Sequence, residues 1–219
     1  MSRPILTNLS SGVWVNFDDL SKKRILVIDP SDGSYETLRH EFVNFHVEKI
    51  ARVRAAVDAI LKLKQGETFD IVISEYHLNK GSMDGNGSHG SIADLNGQQL
   101  LEKLRKDDLL SNQTAYMIIS GEDSRDMVLH MLEQLPDDYL LKKWLKKDRL
   151  ITRIGRVLRK KQMLRTLYEH LDKKDYDKLI EEAKTLIADP TLKEYQLDIY
   201  RLKAETEMAT HQYEAAKRT

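Results

Sequence analysis

The 219-residue chain contains no cysteine. That excludes a thiol nucleophile, a zinc–cysteine site and an oxidised, disulfide-stapled scaffold. Net charge is missing too, because Lys plus Arg number 35 and Asp plus Glu number 35. A dominant polyanion partner is therefore not expected. Long apolar runs are also lacking, and none approaches the roughly 20 residues that a membrane span needs. The opening stretch, MSRPILTNLSSGVWVNFDDL, has only short apolar pieces broken by polar residues, so it does not read as a secretory signal. Together these absences predict a soluble cytoplasmic protein with no membrane partner, long enough to bury a core without disulfides or metals.

The chain has two textures. From Lys23 to about Leu145, short β-rich runs alternate with helical patterns. RILVI (24–28), FDIVIS (69–74), TAYMIIS (114–120) and DYLLKKW (138–144) read as strands. YETLRHEFV (35–43), AAVDAILKL (55–63) and NGQQLLEKLRK (96–106) have helical spacing. SRDMVLHMLEQL (124–135) puts Met127, Val128, Met131, Leu132 and Leu135 on one face, with Ser124 as N-cap and Pro136 just past the end. Continuous apolar strands between helices predict an α/β fold, a doubly wound parallel sheet covered on both faces. In such sheets chemistry collects at the carboxyl ends of the strands.

From about Leu145 the pattern is helical throughout. KKDYDKLIEEAKTLIADP (173–190) and THQYEAAKR (210–218) each carry an aromatic before a helix-forming run, and Tyr176 and Tyr213 lie 37 residues apart. A period of that size predicts helical repeats. The second copy stops at Thr219, inside its second helix, which predicts that further repeats follow in a longer protein.

Four strand exits carry complementary polar groups: Asp29 after RILVI, Glu75 after FDIVIS, Ser120 after TAYMII, and Lys142 after DYLL. In a parallel sheet these exits share one edge, so two acids, a hydroxyl and an ammonium converge. Over about residues 23–162 this order resembles the receiver domain of bacterial two-component response regulators. DMVLHMLEQLPDDYLLKKW and NGQQLLEKLR are similar to the receiver subgroup that carries tetratricopeptide-like repeats. The resemblance implies a five-stranded, flavodoxin-like parallel sheet followed by an all-α repeat segment. It divides the chain into an extension (1–22), a receiver-like domain (23–162, with an inserted loop at about 79–95) and repeats (163–219).

Position by position, the resemblance is incomplete. Asp29 matches the first of the family's acidic pair, but Pro30 stands in place of the second. Glu75 stands at the phosphoacceptor position, since ISEYHL is similar to ISDYHL with one methylene added. Ser120 matches the switch hydroxyl, with Gly121 after it, and Tyr139 falls at the aromatic that rearranges on activation. Lys142 matches the family's lysine, but Lys143 replaces the proline that follows, so a trans peptide is expected there.

Phosphoryl transfer to a carboxylate needs magnesium on oxygen ligands and an in-line nucleophile. Pro30 offers neither a side-chain oxygen nor an N–H. Asp32 is a substitute ligand only if it swings in, and PSDG is more simply a turn. Glu75 places its carboxylate on the order of 1.5 Å too far out, and about 1 Å already costs about a hundredfold. No catalytic residue, metal or cofactor is therefore expected, and any weak magnesium site would fall to Asp29 and Glu75. A fixed Glu75–Lys142 ion pair holds the switch face in one state or merely neutralises a rigid platform; both readings stand.

Between Leu78 and Gly97 lies NKGSMDGNGSHGSIADLNG. LNG (95–97) reads as the family's turn, with MDG (83–85) as a second candidate, and the glycines predict a surface loop. Asp84, Asn86, His89 and Asp94 do not have EF-hand spacing, so no metal loop is expected. On the next helix Arg149, Arg153, Arg156 and Lys160 form one stripe, while Leu150, Ile154, Val157 and Leu158 form the buried side. That stripe is expected to meet the acidic DKLIEEAK region; nucleic acid binding through 149–165 is the less favoured outcome.

The expectation is a non-enzymatic, phosphorelay-type signalling module, a pseudo-receiver working through protein partners, with a homodimer as one option. A working phosphoacceptor using Asp29, Asp32 and Glu75, and a nucleic-acid-binding regulator, are the alternatives.

Overall fold

The computed structural model describes residues 6–8, 14–16, 18–43, 45–78, 92–121, 136–145 and 147–210. Near the amino terminus β1 (Leu6–Asn8) and β2 (Trp14–Asn16) pair as an antiparallel ribbon, and α1 (Asp18–Ser21) follows. Then come β3 (Arg24–Ile28), α2 (Asp32–Val43), β4 (Lys49–Val53), α3 (Ala56–Lys64), β5 (Ile71–Glu75) and α4 (Gly97–Lys106). β6 (Ala115–Ser120), β7 (Asp138–Leu141) and α5 (Lys147–Met163) complete the series. The expected helix at 124–135, most of the inserted loop with Asp84, Asn86 and His89, and Tyr213 lie outside the described residues.

β3 to β7 form a five-stranded parallel sheet in the order β4-β3-β5-β6-β7. β5 and β6 are buried at every position. Successive side chains of a strand point to opposite faces. Leu26, Ile28, Val72, Tyr116, Ile118 and Leu141 build one core with Ile60 and Leu63 of α3 and Leu100 and Leu104 of α4. The alternate set, Ile25, Val27, Ile71, Ile73, Met117, Ile119 and Leu140, is equally buried. Both faces are therefore covered, as the unbroken apolar strands predict.

β4 departs from the sequence reading, which assigned no strand to KIARV. It is an edge strand, burying Ala51 and Val53 while Arg52 and Arg54 alternate with them. Its charges hide the apolar period. Gly66, with φ 83°, ends α3 in the left-handed conformation that glycine adopts without strain.

The described residues divide into two compact units, one of residues 1–110 and 114–157, the other of 111–113 and 158–219. The second contains α6 (Arg165–Asp172), α7 (Tyr176–Ile187), a 3-10 turn (Pro190–Tyr195) and α8 (Gln196–Ala209). Its core gathers Leu164, Leu167, Tyr168, Leu179, Ala183, Leu192, Ile199 and Leu202. Asp189 caps the 3-10 turn through Thr191 N–H, with Pro190 at its first position. Within this unit Asp172 accepts from Asn112 N–H (2.7 Å), Asn112 Nδ2 (2.8 Å) and Ser111 Oγ (2.5 Å).

Candidate functional site

The register of the sheet brings the four polar exits together. Ile28 pairs with Ser74, Glu75 with Ile119, and Ser120 with Leu141. Asp29, Glu75, Ser120 and Lys142 thus leave the carboxyl ends of four neighbouring strands, β3, β5, β6 and β7. Asp29 (2% exposed), Glu75 (4%) and Ser120 (0%) are buried. Pro30 is half-buried beside Asp29.

Lys142 opens a 3-10 turn, Lys142–Trp144, and no described peptide bond is cis. Its Nζ forms ion pairs with Asp29 Oδ2 at 3.1 Å and with Glu75 Oε2. The other oxygen of each acid is also engaged. Asp29 Oδ1 accepts from Ser31 N–H (2.7 Å), and Glu75 Oε1 accepts from Tyr76 N–H (3.1 Å) and His77 N–H (3.3 Å). Burial works against the ammonium, but the hydrogen bonds and charges of Glu75 and then Asp29 outweigh it. The pKa of Lys142 therefore lies above that of an ordinary lysine.

Asp32 does not join this group. It sits in the first turn of α2, where Oδ1 accepts from Arg52 Nη1 (2.6 Å) and Arg54 Nη2 (2.7 Å). The hydrogen bond from Arg52 and the nearby charges of Arg54 and Arg52 hold its carboxyl below the usual range, against a smaller desolvation penalty. Each of the three acids considered as a metal ligand thus has a cation of the protein on it. Magnesium takes near-octahedral oxygen coordination. Pro30 supplies no side-chain oxygen, and an ammonium sits between the two remaining carboxylates, so the residues do not fit that ion. Among the described residues no cluster of three or more His, Cys, Asp or Glu is arranged to hold a metal.

Tyr139 is 8% exposed and belongs to the sheet core, so its ring lies inward. One residue earlier, Asp138 receives a two-pronged ion pair from Arg153 of α5 (2.6 and 2.8 Å). Lys160 of the same stripe pairs with Asp198 at 3.1 Å. Two members of the stripe thus have acidic partners within their own units, Arg153 on Asp138 and Lys160 on Asp198. Arg149 and Arg156 are exposed; Leu150, Ile154 and Val157 are buried as expected, and Leu158 only half so.

Behind the site, Asn96 caps α4 with a full capping box, Oδ1 accepting from Gln98 N–H and Gln99 N–H. LNG is therefore a helix start. Gly97 N–H donates to Tyr76 C=O (2.8 Å), and Gly97 C=O accepts from the buried Tyr116 hydroxyl (2.6 Å). Tyr116→Phe removes that hydrogen bond, with an expected cost of about 1 kcal/mol in urea unfolding.

Sequence reasoning missed Arg52 and Arg54. The signal was the two-residue alternation of Ala51 and Val53 with the arginines, overlooked because the run is short and charged.

No protein-family model and no curated protein matches the sequence. Solved structures do. The signal receiver domain of an HD domain-containing protein from Pseudomonas fluorescens Pf-5 is similar at TM-score 0.51 and 18% identity, over 67% of this chain and 93% of that one. A response regulator from Chloroflexus aurantiacus J-10-fl is similar at TM-score 0.50 and 17% identity, over 63% of this chain and 98% of that one. A fusion carrying the trimeric coiled coil of yeast Spc42 is similar at TM-score 0.51 and 18% identity, over 74% and 90%. The first unit has the flavodoxin-like fold of a response-regulator receiver domain, and a helical segment follows it. No described helix is long and apolar enough to cross a membrane.

Proposed function

We propose that the chain is a signal-transduction module whose receiver domain is a pseudo-receiver, not phosphorylated in the usual way. The observation that supports this reading is the Lys142 ammonium lodged between Glu75 and Asp29. It supplies from within the chain the positive charge that a metal would bring. Glu75, at the phosphoacceptor position, has one oxygen against that ammonium and the other on two backbone amides. It is held rather than presented for attack.

In this reading the triad keeps the switch face, Ser120 and inward Tyr139 included, in one state. Signalling then runs through protein contacts of that face and of the helical unit, read as tetratricopeptide-like. α8 of that unit exposes Leu197 (85%) and Met208 (50%), eleven residues and so about three turns apart on one face. Such apolar positions suit a protein partner better than a nucleic acid.

The test is incubation of the full chain with magnesium and a small acyl phosphate, followed by intact mass. No gain of a phosphoryl group is expected, and Glu75→Asp alone is expected to restore none, because Pro30 still withholds a ligand. Stoichiometric phosphorylation of the wild-type chain at Glu75 would overturn the proposal.

A further inference from the structure

The residue that best explains how the site keeps its geometry belongs to neither the acids nor the lysine. Arg52 lies on the edge strand β4, with its side chain only 14% exposed. Its Nε and Nη2 donate to the main-chain carbonyl of Asp29 at 3.2 and 3.0 Å. Its Nη1 donates to Asp32 Oδ1 at 2.6 Å, and its guanidinium carbon lies 4.6 Å from the centre of the Tyr35 ring. Edges and face of the group are all engaged, so it is a fixed object. The same strand grips Asp29 a second time, since Asp29 N–H donates to Val53 C=O at 3.1 Å.

Building on the reading of the Lys142 site given above, we infer that Arg52 is a positioning residue for that site. By clamping the main chain of Asp29, it sets the Asp29 carboxylate onto Lys142. Charges then alternate from rim to interior: Asp32, Arg52, Asp29, Lys142, Glu75. The brace matters here because Pro30 has no N–H with which to tie the loop after β3. Ser31 N–H is the next amide along, and it is spent on Asp29 Oδ1. Arginine is required because a lysine ammonium is a point charge without the planar fork that reaches a carbonyl and a carboxylate together.

The test is Arg52→Lys in the full chain, read by hydrogen exchange with NMR detection. Loss of one such hydrogen bond corresponds to about a tenfold change in an opening equilibrium. The Ser31 amide, whose acceptor is Asp29 Oδ1, and the Lys142 ammonium are each expected to exchange about tenfold faster. The amides of Ile50 to Val53 are expected to keep their wild-type rates. A merely structural role in holding the edge strand would instead speed the β4 amides. Unchanged exchange at Ser31 and Lys142, or acceleration spread along β4, would overturn the inference. If Arg52→Lys fails to fold, Asp32→Ala removes the acceptor of the outer arm only; the same pattern at smaller amplitude supports the role, and wild-type rates at Ser31 overturn it. A phosphoryl adduct on the wild-type chain would instead defeat the reading of the site while leaving the Arg52 pattern standing.

Discussion

Lys142→Met is expected to destabilise the first unit by about 3–5 kcal/mol at neutral pH, the usual cost of stripping one partner from a buried ion pair. The effect is large because one ammonium serves two carboxylates, Asp29 and Glu75, that are 2% and 4% exposed. Without it both acids face each other at the sheet edge with only backbone amides for support. The pH dependence follows from the sign of the lysine's shift. In the folded chain its pKa is raised above the ordinary 10.5. Its contribution is therefore complete below pH 10.5 and is lost as pH rises through the folded value. Adding Glu75→Gln to Lys142→Met should recover part of the loss at neutral pH. Urea unfolding followed on the first unit's own amides checks both statements.

Gly97→Ala is expected to cost about 3 kcal/mol, at the upper end of what overpacking a core costs. A Cβ there would lie 2.5 Å from Glu75 C=O and 2.9 Å from Ser74 Oγ, and the carbonyl belongs to the backbone of a buried strand. The helix cannot retreat cheaply. It is tied to the strand ends by Gly97 N–H on Tyr76 C=O and by the Tyr116 hydroxyl on Gly97 C=O. Backing α4 away would sacrifice both bonds, so the strain should also loosen the segment that presents Glu75. Gly33→Ala is the control, because a Cβ at Gly33 meets nothing within 4 Å. It should change the unfolding midpoint little while Gly97→Ala lowers it clearly.

The site was legible where chemistry and position coincide along the chain. RILVI, the strand ending at Glu75, and TAYMIIS are apolar runs that stop at a polar residue, and a parallel sheet puts such stops on one edge. That placed Glu75 and Lys142 on the same edge, and the structure joins them in an ion pair. The share of the lysine taken by Asp29 was not legible, because a side chain's reach across two neighbouring strands is a tertiary fact. Arg52 was invisible for a related reason. An edge strand needs little apolar sequence, so KIARV lacks the pattern that marks a buried one. The partners of the basic stripe, Asp138 and Asp198, are likewise acids whose nearness depends on packing rather than spacing. Nor does sequence period reveal that residues 111–113 belong with the helical unit, since a three-residue segment has none.

The proposed role of the Lys142 ammonium, standing where a metal would and holding Glu75 closed to attack, has one decisive test. That test is titration of the full chain with magnesium and beryllofluoride, followed on the Ser31 and His77 amides. Ser31 N–H reports on Asp29 and His77 N–H on Glu75. No saturable shift of either signal is expected at millimolar magnesium. A saturable shift of both, at one equivalent of beryllofluoride per chain, would contradict the account.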